Sequence, residues 1–315
     1  MRRKLGTALA AVLALALVAG CGQKQDGGAG QNQPSQTGGE QQGQQYTIGL
    51  AISTLNNPFF VDLQKGAEEA AKAAGVKLVV SDAQDDTAKQ VSDIEDLITQ
   101  KVDVLIINPT DSDAVVPAVE AANQAGIPVI TVDRGANGGK VVAHVASDNV
   151  AGGKMAGELI VQLLGGKGKV IELEGIPGTS AARDRGKGFH EAVDPVEGIE
   201  VVAKQPADFD RAKGMQVMEN LLQAHPDVDA VFAHNDEMAL GAIEALKAAG
   251  KTGVIVVGFD ATEDARKAVE AGEMAATVAQ KPAEMGKIAV ETALKVLKGE
   301  QVPEFIPVSL ELVKK

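Results

Sequence analysis

YTIGLAISTLNNPFFVDLQKGAEEAAKAAG, residues 46–75, packs an apolar strand, a polar turn and an amphipathic helix into thirty residues. Thr47 to Ile52 is almost continuously apolar, which is how a strand reads when both of its faces are covered. Ser53 to Asn57 turns the chain. Pro58 stands at a first helical position, where a residue without an N–H costs nothing. Leu63, Ala67, Ala70 and Ala74 recur at helical spacing, and Gly75 supplies a left-handed stop. Asn56, Asn57, Phe59 and Phe60 therefore fall at the carboxyl end of a strand, the edge where open α/β sheets bind ligands.

Apolar runs of strand length alternate with helical patterns from here to the carboxyl end, the signature of repeated βα units and parallel sheets. The first half predicts strands over 47–53, 76–81, 102–108, 127–133 and 141–147. Helices over about 87–100 and 112–125 separate three of them, each opened by a capping side chain. The second half repeats the plan with strands over 169–174, 199–205, 230–234, 254–259 and 275–279 and helices beginning near Asn149, Thr179, Asp210, Asp236 and Thr262. A helix over 282–298 and a single strand over 305–313 finish the chain. The expected fold is α/β, two similar doubly wound parallel-sheet lobes.

Ahead of this, Arg2, Arg3 and Lys4 precede the apolar run Leu5 to Ala19, too short for a membrane span but suited to a secretory signal. Leu17-Val-Ala-Gly-Cys21 resembles the lipobox of bacterial lipoproteins, in which cleavage before the cysteine leaves that thiol lipidated; the alternative is a free thiol. As the chain's only cysteine, Cys21 has no internal disulfide partner. The expected plan is a signal peptide over 1–20 and a lipid-anchored Gly/Gln tether over 21–45. The tether would reach roughly 25–30 Å. The product is expected to be exported and held on the outer face of the cytoplasmic membrane through Cys21. The formal net charge of −13 becomes −16 once the three basic residues leave with the signal. Such a charge repels phosphate backbones, and one Tyr with no Trp offers little surface for stacking bases, so nucleic acid is not an expected partner.

Polar residues gather just past the strands: Asn57, Asn108, Asp133 and Arg134 in the first half, then Arg185, Asn235, Asp260 and Gln280 in the second. Turn and cap chemistry accounts for an individual Asp or Asn. It does not account for Arg134, Arg185 or Gln280, nor for Phe59, Phe60, Phe209 and Phe259 among them. Amide, carboxylate and guanidinium groups beside flat rings suit a sugar, whose hydroxyls take paired hydrogen bonds and whose C–H faces take apolar cover. Asp133 and Asp260 balance Arg134 and Arg185, so a neutral polyol fits; an amino acid, carrying both signs, also fits that balance. No histidine pair has metal-ligand spacing and no phosphate or dinucleotide loop follows a strand, so neither metal nor cofactor is expected, and no catalytic residue is assigned.

From Tyr46 onward the chain resembles the ribose-binding proteins of bacterial ABC transporters, within the type I periplasmic binding proteins. The resemblance rests on STLNNPFF (53–60), INPTDSDAV (107–115), VITVDR (129–134), ASDNVAGGK (146–154), GTSAARDRGKGF (178–189), QPADFDRAKG (205–214), NDEMALGA (235–242) and VVGFD (256–260). It implies that Asn57, Asp133, Arg134, Arg185, Asn235, Asp260 and Gln280 bond a pyranose, that Phe59, Phe60 and Phe209 sandwich it, and that Asn108 and Phe259 complete the wall. His234 departs from the Gln common in such proteins. The resemblance further implies three chain crossovers, near Ser147, Gln280 and Pro307, joining a lobe of 46–147 and 281–307 to one of 148–280 and 308–315. It implies a monomer that closes over D-ribose and presents it to a permease, with a chemoreceptor as a further candidate partner. Alternatives are another sugar, such as allose, galactose or an autoinducer-like furanose, in uptake or chemotaxis, or, from other classes, a doubly wound enzyme, for which no nucleophile or cofactor loop is found, and a sugar-responsive repressor, which would carry a helix-turn-helix where this chain has a signal and tether.

Overall fold

The computed structural model describes residues 45–315. The signal peptide, Cys21 and the tether expected over 1–45 lie outside the described residues, save Gln45. The first sheet takes β1 (Thr47–Ile52), β2 (Lys77–Asp82), β3 (Val104–Ile107), β4 (Val129–Val132) and β5 (Ala143–Ser147), with α1 (Pro58–Ala74), α2 (Thr87–Thr99) and α3 (Val116–Gln124) between them. Then come α4 (Asn149–Leu163), β6 (Gly168–Glu174), α5 (Ser180–Val193), β7 (Ile199–Pro206), α6 (Arg211–Ala224), β8 (Ala230–Ala233), α7 (Asp236–Ala248), β9 (Ile255–Asp260), α8 (Glu263–Ala271) and β10 (Ala276–Ala279). The chain ends with α9 (Pro282–Leu297), β11 (Phe305–Val308) and β12 (Glu311–Lys314).

The two six-stranded sheets have the orders β11-β5-β4-β3-β1-β2 and β12-β10-β9-β8-β6-β7. Every pairing is parallel except that of β12 with β10. In β1, Ile48, Leu50 and Ile52 face the layer of α1 and α9 while Ala51 faces the layer of α2 and α3. Both faces are covered, which is why the strand reads as an unbroken apolar run. The second sheet is covered by α6, α7 and α8 on one face and by α4 and α5 on the other.

Three helix pairs pack through reciprocal glycines. A Cβ on Gly66 would collide with the Ala283 carbonyl and one on Gly286 with that of Leu63; Gly153 and Gly188 do the same between α4 and α5, and Gly214 and Gly241 between α6 and α7. The chain passes from one sheet to the other after β5, after β10 and between β11 and β12.

Two local expectations are corrected. The single strand over 305–313 is two strands in different sheets, and the chain crosses between them at Ser309–Leu310, close to Pro307. Pro307 pairs in register with Ala146 on an edge strand, where a residue without an N–H is tolerated. The third helix begins at Val116 and has no capping side chain. Asp111 instead accepts bonds from the N–H groups of Asp113 and Ala114 and holds a separate turn ahead of it, and Pro117 removes one of the donors a cap would have served. The first helix follows the sequence reading, with Asn57 accepting from the Phe59 N–H and Gly75 at φ 68°.

Candidate functional site

The carboxyl ends of both sheets face one cavity. Asn57, Phe59 and Phe60 reach it from the start of α1, and Asp133 and Arg134 follow β4 directly. From the other lobe come Arg185 on α5, Phe209 ahead of α6, Asn235 at the cap of α7, Asp260 at the end of β9 and Gln280 just past β10. These ten residues and Ala181 line it.

The polar groups are arranged but not used up on one another. Asp133 and Arg134 stand 3.8 Å apart, and Arg185 and Asp260 3.9 Å, which is longer than a charge-assisted hydrogen bond. Arg185 is fixed from behind: Nε donates to Asn149 Oδ1 at 2.9 Å and Nη1 to the His234 carbonyl at 2.6 Å, and its guanidinium lies 3.9 Å over the Phe259 ring. Gln280 Nε2 donates to Asp260 Oδ1 at 2.8 Å. Asn235 caps α7 through Oδ1 and donates from Nδ2 to the Phe209 carbonyl.

Among the described residues four buried side-chain polar atoms lack a hydrogen-bond partner: Asp133 Oδ1, Arg134 Nε, Gln280 Oε1 and Ser147 Oγ. The first three belong to residues lining this cavity. An orphaned buried polar atom costs about 1–3 kcal/mol, so three in one cavity mark a place built for something that hydrogen-bonds. Burial pushes the Asp133 and Asp260 carboxyls above their ordinary values, against the pull of Arg134 and Arg185 respectively. Burial likewise lowers Arg134, against the pull of Asp133.

Rings close the space. Phe59 and Phe60 meet edge to face at 5.1 Å, and the Arg134 guanidinium lies 5.0 Å from the Phe60 centroid and 5.2 Å from that of Phe209. The backbone is strained here: Asp133, Phe209 and Asp260 have φ of 61°, 60° and 115°, a region that side chains with a Cβ rarely adopt and that clusters at functional sites. Among the described residues no cluster of His, Cys, Asp and Glu is arranged to hold a metal ion.

Two residues expected in the wall stand one layer behind it. Asn108 accepts from Ser53 through Oδ1 and donates from Nδ2 to the Val132 carbonyl and to Asp133 Oδ2, so it holds the aspartate. Phe259 lies under Arg185. Reading the sequence missed Ala181 in the lining and Asn149 as the partner of Arg185. A helix-start Asn next to Asp148 carries no sign that its side chain turns inward.

Outside the cavity the lobes touch again. The Ser112 N–H donates to the Gly178 carbonyl at 2.9 Å, the Ser180 N–H to Ser112 Oγ at 3.2 Å, and the Gly135 N–H to Ser180 Oγ at 2.9 Å. Arg183 Nη2 donates to Asn137 Oδ1 at 3.1 Å.

The chain is similar to known proteins over most of its length. The family described as periplasmic binding protein domain matches residues 48–301. The ribose import binding protein of Escherichia coli (strain K12) is 59% identical over 269 residues, 85% of this chain and 90% of its own length. That of Bacillus subtilis (strain 168) is 55% identical over 279 residues, 89% of this chain and 90% of its own. A solved ABC transporter solute binding protein from Mycobacterium smegmatis, with bound glycerol, superposes with a TM-score of 0.83 at 41% identity, covering 86% of this chain and 94% of that one.

Proposed function

The chain belongs to the periplasmic binding protein family, and on that premise we propose that it is the extracytoplasmic receptor that closes over D-ribose and delivers it to the permease of an ABC transporter. The observation that carries this reading is the trio of unpartnered buried atoms, Asp133 Oδ1, Arg134 Nε and Gln280 Oε1, in a charge-balanced cavity bounded by rings. Two acceptors and a donor suit the hydroxyls of a sugar, which give and take hydrogen bonds at once, and Phe59, Phe60 and Phe209 suit its C–H faces. Ribose in particular is supported by the relatives named for ribose import at 55% and 59% identity.

Binding and closure are one event in this reading. Asn57, Asp133 and Arg134 grip from the first lobe, and Arg185, Asn235 and Asp260 from the second. A sugar reaches both sets only when the lobes meet, so its affinity for the closed state exceeds that for the open one, and it shifts the population by that difference. The three crossings act as the hinge, and the permease reads the surface that closure assembles. No covalent bond is made or broken, so no catalytic residue is needed. Export by the amino-terminal signal, anchoring through lipidated Cys21 and action as a monomer complete the proposal, with a chemoreceptor as a second reader of the closed form.

Calorimetric titration of the protein with ribose, allose, galactose and glucose tests the reading. One-to-one binding of ribose alone, tighter than the other three, is the expected outcome. Preference for another of these sugars overturns ribose and leaves the receptor class standing. Failure of every sugar overturns the class.

A further inference from the structure

Glu172 lies in the middle of β6 with no solvent exposure, and it is bonded on both oxygens by histidines. His234 Nε2 is 2.9 Å from Oε1, and His190 Nε2 is 2.9 Å from Oε2. The Gly175 N–H donates to His234 Nδ1 at 3.3 Å, so that nitrogen carries a lone pair and the proton is on Nε2: His234 is a neutral ring donating to Glu172. His190 has a carboxylate on each side, Asp194 Oδ1 at 2.8 Å from Nδ1 and Glu172 at Nε2. Both nitrogens must donate, which makes it an imidazolium. One charge on a half-exposed ring thus balances one buried carboxylate.

The neutral end of this chain of bonds touches three residues assigned above to the sugar. The His234 carbonyl is the 2.6 Å acceptor of Arg185 Nη1. Asn235 is its neighbour in sequence. Gly175, gripped by the His234 ring, is the residue against which Phe209 packs, so closely that a Cβ there would overlap the ring. We propose that Glu172, His234 and His190 form a positioning relay that sets the second-lobe half of the site, holding Arg185 through the His234 carbonyl and Phe209 through Gly175. The inference rests on the ribose-receptor reading.

The relay carries a pH dependence of definite sign. Glu172, buried but held by two imidazole donors, is pulled down to about 2 and stays ionised above that. The bond from Glu172 raises His190 to about 9, with burial opposing it and Asp194 adding to it. A raised histidine contributes fully below its ordinary value near 6.5, and its contribution is lost as pH rises through about 9. The other charged groups around the His190 surface are Glu174 on β6, Arg183 and Lys187 on its own helix, and Lys204 on β7, of which Lys204 pairs with Glu174. The cations oppose protonation of His190, Glu174 favours it, and the two carboxylates bonded to the ring outweigh both.

Ribose titrations of the full-length protein and of His190→Gln, His234→Leu and His234→Gln between roughly pH 7 and 10 test the relay, with imidazole nitrogen spectra of the sugar-free protein beside them. His190→Gln keeps a donor for Glu172 without the charge. His234→Gln keeps both the acceptor for Gly175 and the donor for Glu172, whereas His234→Leu has neither. Wild-type affinity is expected to fall about three- to tenfold across that window. His190→Gln should be flat, His234→Leu about tenfold weaker throughout, and His234→Gln close to wild type. The spectra should give a neutral Nε2–H ring for His234 and a charged ring for His190 until about pH 9. A wild-type profile unchanged by His190→Gln, or His234→Leu binding as well as wild type, overturns the relay. If the spectra are as expected but the wild type binds no ribose, the ribose-receptor reading falls, and the positioning role with it.

Discussion

Asp133 has one carboxylate oxygen held by Asn108 at 3.3 Å and the other bare, on a backbone turned to φ 61° immediately after β4. Asp and Asn tolerate that left-handed conformation better than other residues with a Cβ. Asp133→Asn therefore keeps the turn but loses the charge that faces Arg134, while Asp133→Ala also leaves a buried guanidinium unpaired. Removing one member of a buried pair costs about 3–5 kcal/mol, and weakening a charged hydrogen bond about 1.5–3 kcal/mol. Titration with ribose at pH 7 should rank wild type above Asp133→Asn above Asp133→Ala, the last weakened at least a hundredfold; an alanine variant within threefold of wild type removes Asp133 from the site. Asp133, Arg134, Arg185 and Gln280 were legible in the sequence because strand-end turns have no need of guanidinium groups or a long amide. Asn108 and Phe259 stand one layer behind the lining, because residue type and spacing fix which edge a side chain reaches but not its depth. The fit of Glu172 between two histidines was not legible at all: residues 172, 190 and 234 meet only through the pairing of β6 with β8 and the packing of α5 beside them.

Between elements, the site depends on how near the helices come. α4 and α5 approach until Gly153 meets the Arg185 carbonyl and Gly188 meets the Val150 carbonyl, so the backbone of Arg185, which the proposal assigns to the sugar, is set by contact with a neighbouring helix. Gly153→Ala must push the helices apart or bend one. Overpacking of this kind costs about 1–3 kcal/mol. It should also weaken ribose binding, because Arg185 is carried on the displaced helix. Gly286→Ala, between α9 and α1, should destabilise comparably while leaving Arg185 in place, with any loss of binding arising from Phe59 and Phe60 on α1. Thermal denaturation read together with titration checks both; a Gly153→Ala variant that lowers the melting temperature but binds ribose unchanged breaks the proposed link between helix spacing and grip. The βα alternation that predicted these elements says nothing of the spacing, and a helix-interior Gly reads first as a weak helix former. Element ends suffered where a cap was inferred from residue type alone, as at Ser112, since Asp111 uses its carboxylate on the preceding turn.

At the scale of the molecule, the alternation of strands with helices is enough to expect two similar lobes; the strand order that the two sheets repeat does not follow from it. The contacts between lobes were not expected, because nothing in the pattern of either half refers to the other. Ser112, Gly135, Gly178 and Ser180 form bonds across the lobes outside the sugar cavity, and Ser180 begins the helix that carries Arg185. The Ser180 bond and Arg185 are thus carried by one helix. In the closure mechanism the sugar's apparent dissociation constant is the intrinsic one divided by the fraction of closed molecules, so a bond formed only on closure raises affinity without touching the ligand. Ser180→Ala removes the acceptor of the Gly135 N–H while leaving every cavity residue intact. A neutral hydrogen bond contributes about 0.5–1.5 kcal/mol, which sets the expected loss of ribose affinity at about two- to twelvefold. If the lost bond forms only on closure, the loss lies mostly in a faster dissociation rate, with the association rate nearly unchanged. Stopped-flow mixing separates the two rates, and small-angle scattering of the sugar-free protein should register a larger radius of gyration if the bond also holds the lobes together before sugar arrives. A dissociation rate equal to wild type would mean that the serine bridge forms equally in the open protein, and that closure is governed by the sugar contacts alone.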